Sequence, residues 1–150
     1  SRPRTTLAKQ LALYVVLYSP LQMAADLPEN YAGQPAFQFI RDVAVDWDTT
    51  RVLQGAIGDY VLVARRQRGA PTWFLGAITD EVARTFTVPL DFLTPGKRYE
   101  AEIYADGPGA SWRSNPLPVT ISRRAVTSAT RLTVTLAPGG GQAIRIRQLP

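Results

Sequence analysis

The chain has 150 residues, the composition of an ordinary globular protein, a net charge of +5, and neither cysteine nor histidine. The length suits one domain with a real core, by the prior of about 100 to 200 residues per domain. Without cysteine there is no disulfide framework, thiolate zinc site or thiol nucleophile; without histidine there is no Ser-His-Asp chemistry, and carboxylates are left as the acid–base groups.

Residues 7 to 18, LAKQLALYVVLY, leave almost no polar stripe after the first turn. A helix apolar on every side belongs inside a larger protein or a membrane, and this one is too short for a bilayer, which takes about 20 apolar residues. No membrane span is expected. A secretion signal is the rival reading, with Arg2, Arg4 and Lys9 as its basic start, residues 11 to 18 as its apolar stretch and Met23-Ala24-Ala25 as a cleavage-like end. Against it, Thr5-Thr6-Leu7-Ala8 reads as a capped helix start, and Ser19-Pro20 reads as the helix end. A second short helix is expected over residues 35 to 42, with Pro35 at its favoured first position and Phe37, Phe39 and Ile40 turned inward.

The apolar period then changes to two. Tyr99, Ala101, Ile103 and Ala105 alternate with Arg98, Glu100, Glu102 and Tyr104, and Leu117, Val119 and Ile121 alternate with Pro118, Thr120 and Ser122. Further strands are expected over residues 50 to 54, 60 to 65, 72 to 78, 84 to 90, 125 to 128, 132 to 136 and 144 to 147. Turn signals separate them: Gly58-Asp59, Gly69-Ala70-Pro71, Thr94-Pro95-Gly96, Asp106-Gly107-Pro108-Gly109 and Pro138-Gly139-Gly140-Gly141. Short strands at that spacing predict a mainly β protein: an antiparallel β-sandwich, Greek-key-like, preceded by one or two helices. The chain divides into a helical piece, residues 1 to 42, and a sandwich, residues 43 to 150. Two short helices against one sandwich would not hide residues 7 to 18, so the missing cover is expected upstream.

The arginine runs Arg65-Arg66-Gln67-Arg68 and Arg123-Arg124 are short, and read as solvated surface with no nucleic-acid partner. Asp46 and Asp48 share one side of an extended segment, about 7 Å apart by strand rise, which invites a catalytic reading; a surface pair is the plainer one. Asp80-Glu81 and Glu100 with Glu102 read as turn and outer-face residues, because a calcium site needs about six to eight converging oxygens. Trp73 and Trp112 are the candidate sugar contacts, since an aromatic ring offers an apolar face with a polar edge. Trp112 lies in a Gly- and Pro-bounded loop and is the more exposed candidate; Trp73 shares a strand face with Leu75 and Ala77, as a core residue would, and Trp47 aligns with Val43 and Val45 to pack under the sandwich.

The stretch TTLAKQLALYVVLYSPLQMAADLPENY (5 to 31) with PAFQFIRDV (35 to 43) resembles the end of the catalytic (β/α)8 barrel of glycoside hydrolase family 97. WFLGAITDEVARTFTVPLDFL (73 to 93), GKRYEAEIYADG (96 to 107) and LAPGGGQAI (136 to 144) resemble that family's C-terminal β-sandwich. The resemblance implies that the opening helix is the last helix of the barrel, with only residues 4 to 6 on the barrel's catalytic face. It implies a parent enzyme that uses calcium and paired carboxylates on α-glucosides or α-galactosides, in the periplasm or outside the cell. The motifs for that chemistry lie upstream, so no catalytic or metal residue is assigned within residues 1 to 150, and no cofactor in this piece. The expected role is a non-catalytic domain that packs on the parent's catalytic barrel and self-associates. The alternative is a carbohydrate-binding module with an α-glucan oligosaccharide as ligand.

Overall fold

The computed structural model describes residues 4–17, 35–44 and 46–150. Helix α1 (Leu7–Val16) comes first. A 3-10 turn (Pro35–Phe37) runs into α2 (Gln38–Asp42), and eight strands follow: β1 (Trp47–Ala56), β2 (Tyr60–Gln67), β3 (Thr72–Thr79), β4 (Arg84–Pro89), β5 (Tyr99–Asp106), β6 (Val119–Val126), β7 (Arg131–Leu136) and β8 (Gly141–Gln148). Six strands form one sheet in the order β1-β2-β3-β8-β5-β6, and β4 pairs with β7 in a second. Every pairing is antiparallel. The last strand enters between β3 and β5, so the connections cross in the Greek-key-like manner expected of a mainly β antiparallel sandwich.

The space between the sheets is the aliphatic core. Strand β7 alternates strictly, with Leu132, Val134 and Leu136 inward and Arg131, Thr133 and Thr135 outward. The large sheet answers with Leu62, Leu75, Ile144 and Ile146. Burying each such side chain contributes about 1.5–3 kcal/mol. A second core lies on the opposite face of the six-stranded sheet. There Phe74, Tyr104 and Ala143 meet Leu11, Tyr14 and Val15 of α1 and Phe37 and Phe39 of the second helical segment. The fold therefore has three layers: helices, large sheet, small sheet.

Helix α1 begins as expected, with the Thr6 hydroxyl accepting from the Lys9 backbone N–H at 3.1 Å. It ends earlier, at Val16, where Leu17 turns extended. Its surroundings correct the expectation that upstream sequence must cover it. Leu7, Ala8, Leu11, Ala12, Tyr14 and Val15 are buried by this chain's own sheet and second helical segment, while Leu13 and Val16 are half-buried and Leu17 is 46% exposed. Two glycines admit the helix so closely. A Cβ on Gly76 would stand 2.6 Å from the Ala12 carbonyl oxygen, and one on Gly141 would stand 2.5 Å from the Lys9 Cα. A helix seated in this way belongs to the fold, which displaces the secretion-signal reading of residues 11 to 18. The Ser19-Pro20 stop and Met23-Ala24-Ala25 lie outside the described residues.

The strands differ from expectation at three places. β1 starts at Trp47 and runs to Ala56. The segments expected at 117 to 122 and 125 to 128 are one strand, β6, which continues through Arg123-Arg124 because an edge strand carries charge on both faces. β8 begins at Gly141, inside the expected turn. Among the described residues no helix is long and apolar enough to cross a membrane.

Candidate functional site

The carboxylates come first, because the composition leaves them as the acid–base groups. Asp46 and Asp48 do not face each other as a catalytic pair. Each holds an arginine of the neighbouring β2 hairpin arm: Asp46 meets Arg68 at 2.9 Å, and Asp48 takes both ends of the Arg66 guanidinium at 2.9 and 3.1 Å. That two-point hydrogen bond from Arg66 is the main cause holding the Asp48 carboxyl down at about 2. Asp80 accepts the Val82 N–H at 3.0 Å and Arg84 at 2.7 Å, and both hold its carboxyl below the usual range. Glu81 is exposed.

Glu100 and Glu102 part company. Glu100 pairs with Arg147 at 2.9 Å. Glu102 is buried, at 5% exposure, which corrects its reading as an outer-face residue. The helical layer covers that face of β5, so the carboxylate finds protein partners in place of water. Tyr104 donates to it at 3.0 Å and Arg123 at 3.1 Å, and Arg145 stands 3.6 Å away while reaching Asp42 of α2 at the same distance. Burial, and then the bond to Glu102, push the Tyr104 hydroxyl upward. This is a charged pin between α2 and the sheet. Among the described residues no three carboxylates converge as a metal cage would require.

The tryptophans occupy three different settings. Trp73 is buried between the sheets, its ring 4.7 Å from Phe92. Trp112 is half-buried; its backbone N–H donates to the Pro138 carbonyl at 3.1 Å, and its side chain lies across Gly139, where a Cβ would come within 2.5 Å. Trp73 pairs with Ile146 near one end of β8 and Gly139 precedes the other end. The two candidate sugar contacts therefore stand at strand positions about 17 Å apart or more and share no platform. Trp47 packs edge-on against Phe74 at 5.6 Å, beneath the helical layer.

What the sequence concealed is the seat of α1. Arg65, read as solvated surface, is 9% exposed. Its guanidinium donates to the Val15 carbonyl at 2.6 Å, the Val16 carbonyl at 3.1 Å and the Thr50 hydroxyl at 2.9 Å. A helix leaves its last carbonyls unpaired and its C-terminus partly negative, and the cation answers both. At the other end Lys9 donates to the Thr79 carbonyl at 2.8 Å, and burial pulls its ammonium below the usual range. The backbone N–H groups of Thr6 and Leu7 are taken by the carbonyls of Gly139 and Pro116, at 3.0 and 2.7 Å. Asp106 holds that loop in place, accepting the N–H groups of Ala137 and Gly141 at 2.8 and 3.1 Å. The one sequence signal for the seat was Gly76, a glycine inside a strand, which marks a close backbone approach.

Residues 46–147 match the family described as "Glycosyl-hydrolase 97 C-terminal, oligomerisation". The chain belongs to this family. A family 97 enzyme from Pseudoalteromonas sp. strain K8, solved in complex with acarbose, is 55% identical and superposes with a TM-score of 0.94 over 99% of this chain and 23% of that one. A retaining alpha-galactosidase of Bacteroides thetaiotaomicron is 37% identical over 148 residues, which is 95% of this chain and 21% of its own length. The crystal structure of a beta-arabinopyranosidase, 28% identical with a TM-score of 0.74, covers 95% of this chain and 21% of that chain. This family 97 C-terminal chain thus spans about a fifth of the length of the relatives it matches. The α1 seat lies within the span shared with the Pseudoalteromonas enzyme, so helix and sandwich occur together there.

Proposed function

We propose that this chain is the non-catalytic C-terminal part of a family 97 α-glycosidase, and that it works by seating the barrel's last helix on its sandwich and by joining protomers. The observation that carries the reading is the pinning of α1 at both ends, by Arg65 and by Lys9 with the Gly139 loop. That pinning turns a short helix into a rigid graft point. Half-buried Leu13 and exposed Leu17 still offer apolar surface for a barrel to pack on. Every acidic pair singled out in the sequence has at least one carboxylate committed to an arginine. The parent's substrate is an α-glucoside in this reading, because the 55%-identical relative was solved with acarbose and, as a variant, with panose. Calcium and the catalytic carboxylates belong upstream, and the family resemblance supports a periplasmic or extracellular setting.

The test is light scattering behind size exclusion, with an assay on an aryl α-glucoside in the presence of calcium. The chain should run above its monomer mass and hydrolyse nothing. A strict monomer at every concentration, or turnover by this chain alone, would sink the proposal.

A further inference from the structure

One end of the sandwich gathers the turn after β1, the turn after β3, the loop before β8 and the start of α1. There a groove of about 610 Å³ opens between the β1–β2 hairpin and α1. Its walls are largely apolar, built by Val52, Ala56, Val61 and Ile78, and its rim carries Lys9, Asp59 and Asp80. One of its own lining residues projects as a knob. Ile57, at the tip of the hairpin, is fully exposed, and Val52 is 67% exposed. The tip is held rigid: Gly58 takes the positive φ of 79° that the turn needs, and the Asp59 backbone N–H donates to the Ala56 carbonyl at 3.0 Å. The Asp59 carbonyl in turn accepts Asp80 at 2.8 Å and Arg84 at 3.0 Å. An isoleucine displayed on a braced turn loses little freedom on burial, which favours its use as an anchor.

We propose that this end is where a second copy of the chain docks, the Ile57 tip of each copy entering the groove of the other about a two-fold axis. The inference rests on the oligomerisation reading above and names its surface. A two-fold interface must be self-complementary, and here knob and groove belong to one patch. On the rim Asp80 is already paired within its own copy, with Arg84 at 2.7 Å and Lys9 nearby, so it enters the interface neutralised. Competing surfaces fit worse. The outer face of the small sheet is polar, with Thr85, Thr87, Thr133 and Thr135, and two copies of the β6 edge would bring Arg123 and Arg124 against their own kind. Among the described residues a sugar would find one aromatic ring in the groove, Tyr60, and that ring already packs on Phe86 at 4.9 Å and beneath Arg84 at 5.1 Å.

Sedimentation velocity across a wide concentration range tests this with Ile57→Lys, Val52→Glu and, as a control on the β6 edge, Ile121→Lys. The expected result is a dimer whose dissociation constant rises at least about tenfold with Ile57→Lys, as for a central anchor residue, with no change for Ile121→Lys and with unchanged thermal melts. Since the chain has no cysteine, Ile57→Cys adds a unique thiol whose alkylation should slow as the chain associates. An Ile57→Lys chain that associates like the wild type overturns the surface and leaves the oligomerisation reading standing. A chain monomeric throughout overturns both; if the Ile57→Cys thiol is then protected only in the longer enzyme, the groove belongs to the upstream barrel.

Discussion

The two faces of the six-stranded sheet are built by different rules. The face toward β4 and β7 is aliphatic and regular, a matching of Leu, Ile and Val from two sheets. The face toward α1 and α2 is aromatic and uneven: Phe39 sits edge-on to Phe74 at 5.9 Å and to Tyr104 at 5.4 Å, around a helix that needs a glycine beneath it. Charged groups pin only the second face, at Arg65, Lys9 and the Glu102 cluster. The first face makes a generic sandwich. The second fixes where one particular helix lies, which hydrophobic burial alone, being non-directional, does not specify.

The largest effects should come from emptying either core. Ile146→Ala, between the sheets, should cost about 2–5 kcal/mol, and Phe74→Ala, under the helix, about 3–5 kcal/mol. Both residues are at most 1% exposed. Urea unfolding followed by far-UV circular dichroism reads both, and the comparison turns on whether they shift one common transition. A Phe74→Ala cost below about 1 kcal/mol, or a separate early step, would mean that the helical layer is an appendage and not part of the cooperative fold.

The same contrast explains what was legible in the sequence. Period-two alternation is a property of a single strand against a flat apolar neighbour, so β5, β7 and most strand positions could be read along the chain. The outer face obeys contacts between distant residues. Nothing local marks Glu102 as buried, because its cover arrives from α2, some sixty positions earlier in the 150-residue chain. Arg65 stood in a run of arginines that looks like wet surface, and two of them, Arg66 and Arg68, are indeed exposed. Only the third dimension separates Arg65 from them: its side chain points to the helix face while theirs meet Asp48 and Asp46. The sugar-contact candidates show the limit from the other side, since residue type nominated Trp73 and Trp112 while their separation depends on the register of β8.

A smaller effect sharpens the comparison at the pin. Arg65→Met keeps the apolar stem and removes the bonds to Val15, Val16 and Thr50, two of them to the end of α1, and should cost about 1.5–3 kcal/mol, the range for bonds to a charged group. Arg65→Lys should recover less than half, since one ammonium on a flexible stem cannot span the same three acceptors. Amide exchange locates the loss: protection should fall in the last turn of α1 and hold in β7. Equal loss in both would make Arg65 a general stabiliser instead of a pin.

The smallest effect is electrostatic, and it separates an exposed carboxylate from a buried one by the sign of its response to pH. Asp48, on the hairpin, is held at about 2 by Arg66, below the usual 3.8. A group lowered on folding stabilises the folded chain above its unfolded value, and that contribution disappears as the pH falls through 4 toward about 2. Asp106, in the α1 seat, is pushed up from 3.8 by burial, which outweighs the Thr6 hydroxyl and the N–H groups of Ala137 and Gly141. A carboxyl raised on folding favours its neutral form, so its contribution is most favourable below 3.8 and declines as the pH rises toward the folded value. Carboxyl-carbon NMR titration should therefore show Asp48 turning at about 2 and Asp106 turning above 3.8. Asp48→Asn should flatten only the most acidic part of the stability curve, and by little, because water screens an exposed pair. If Asp106 instead titrates below Asp48, its hydrogen bonds dominate over its burial, and the seat holds a stable anion at the start of the helix.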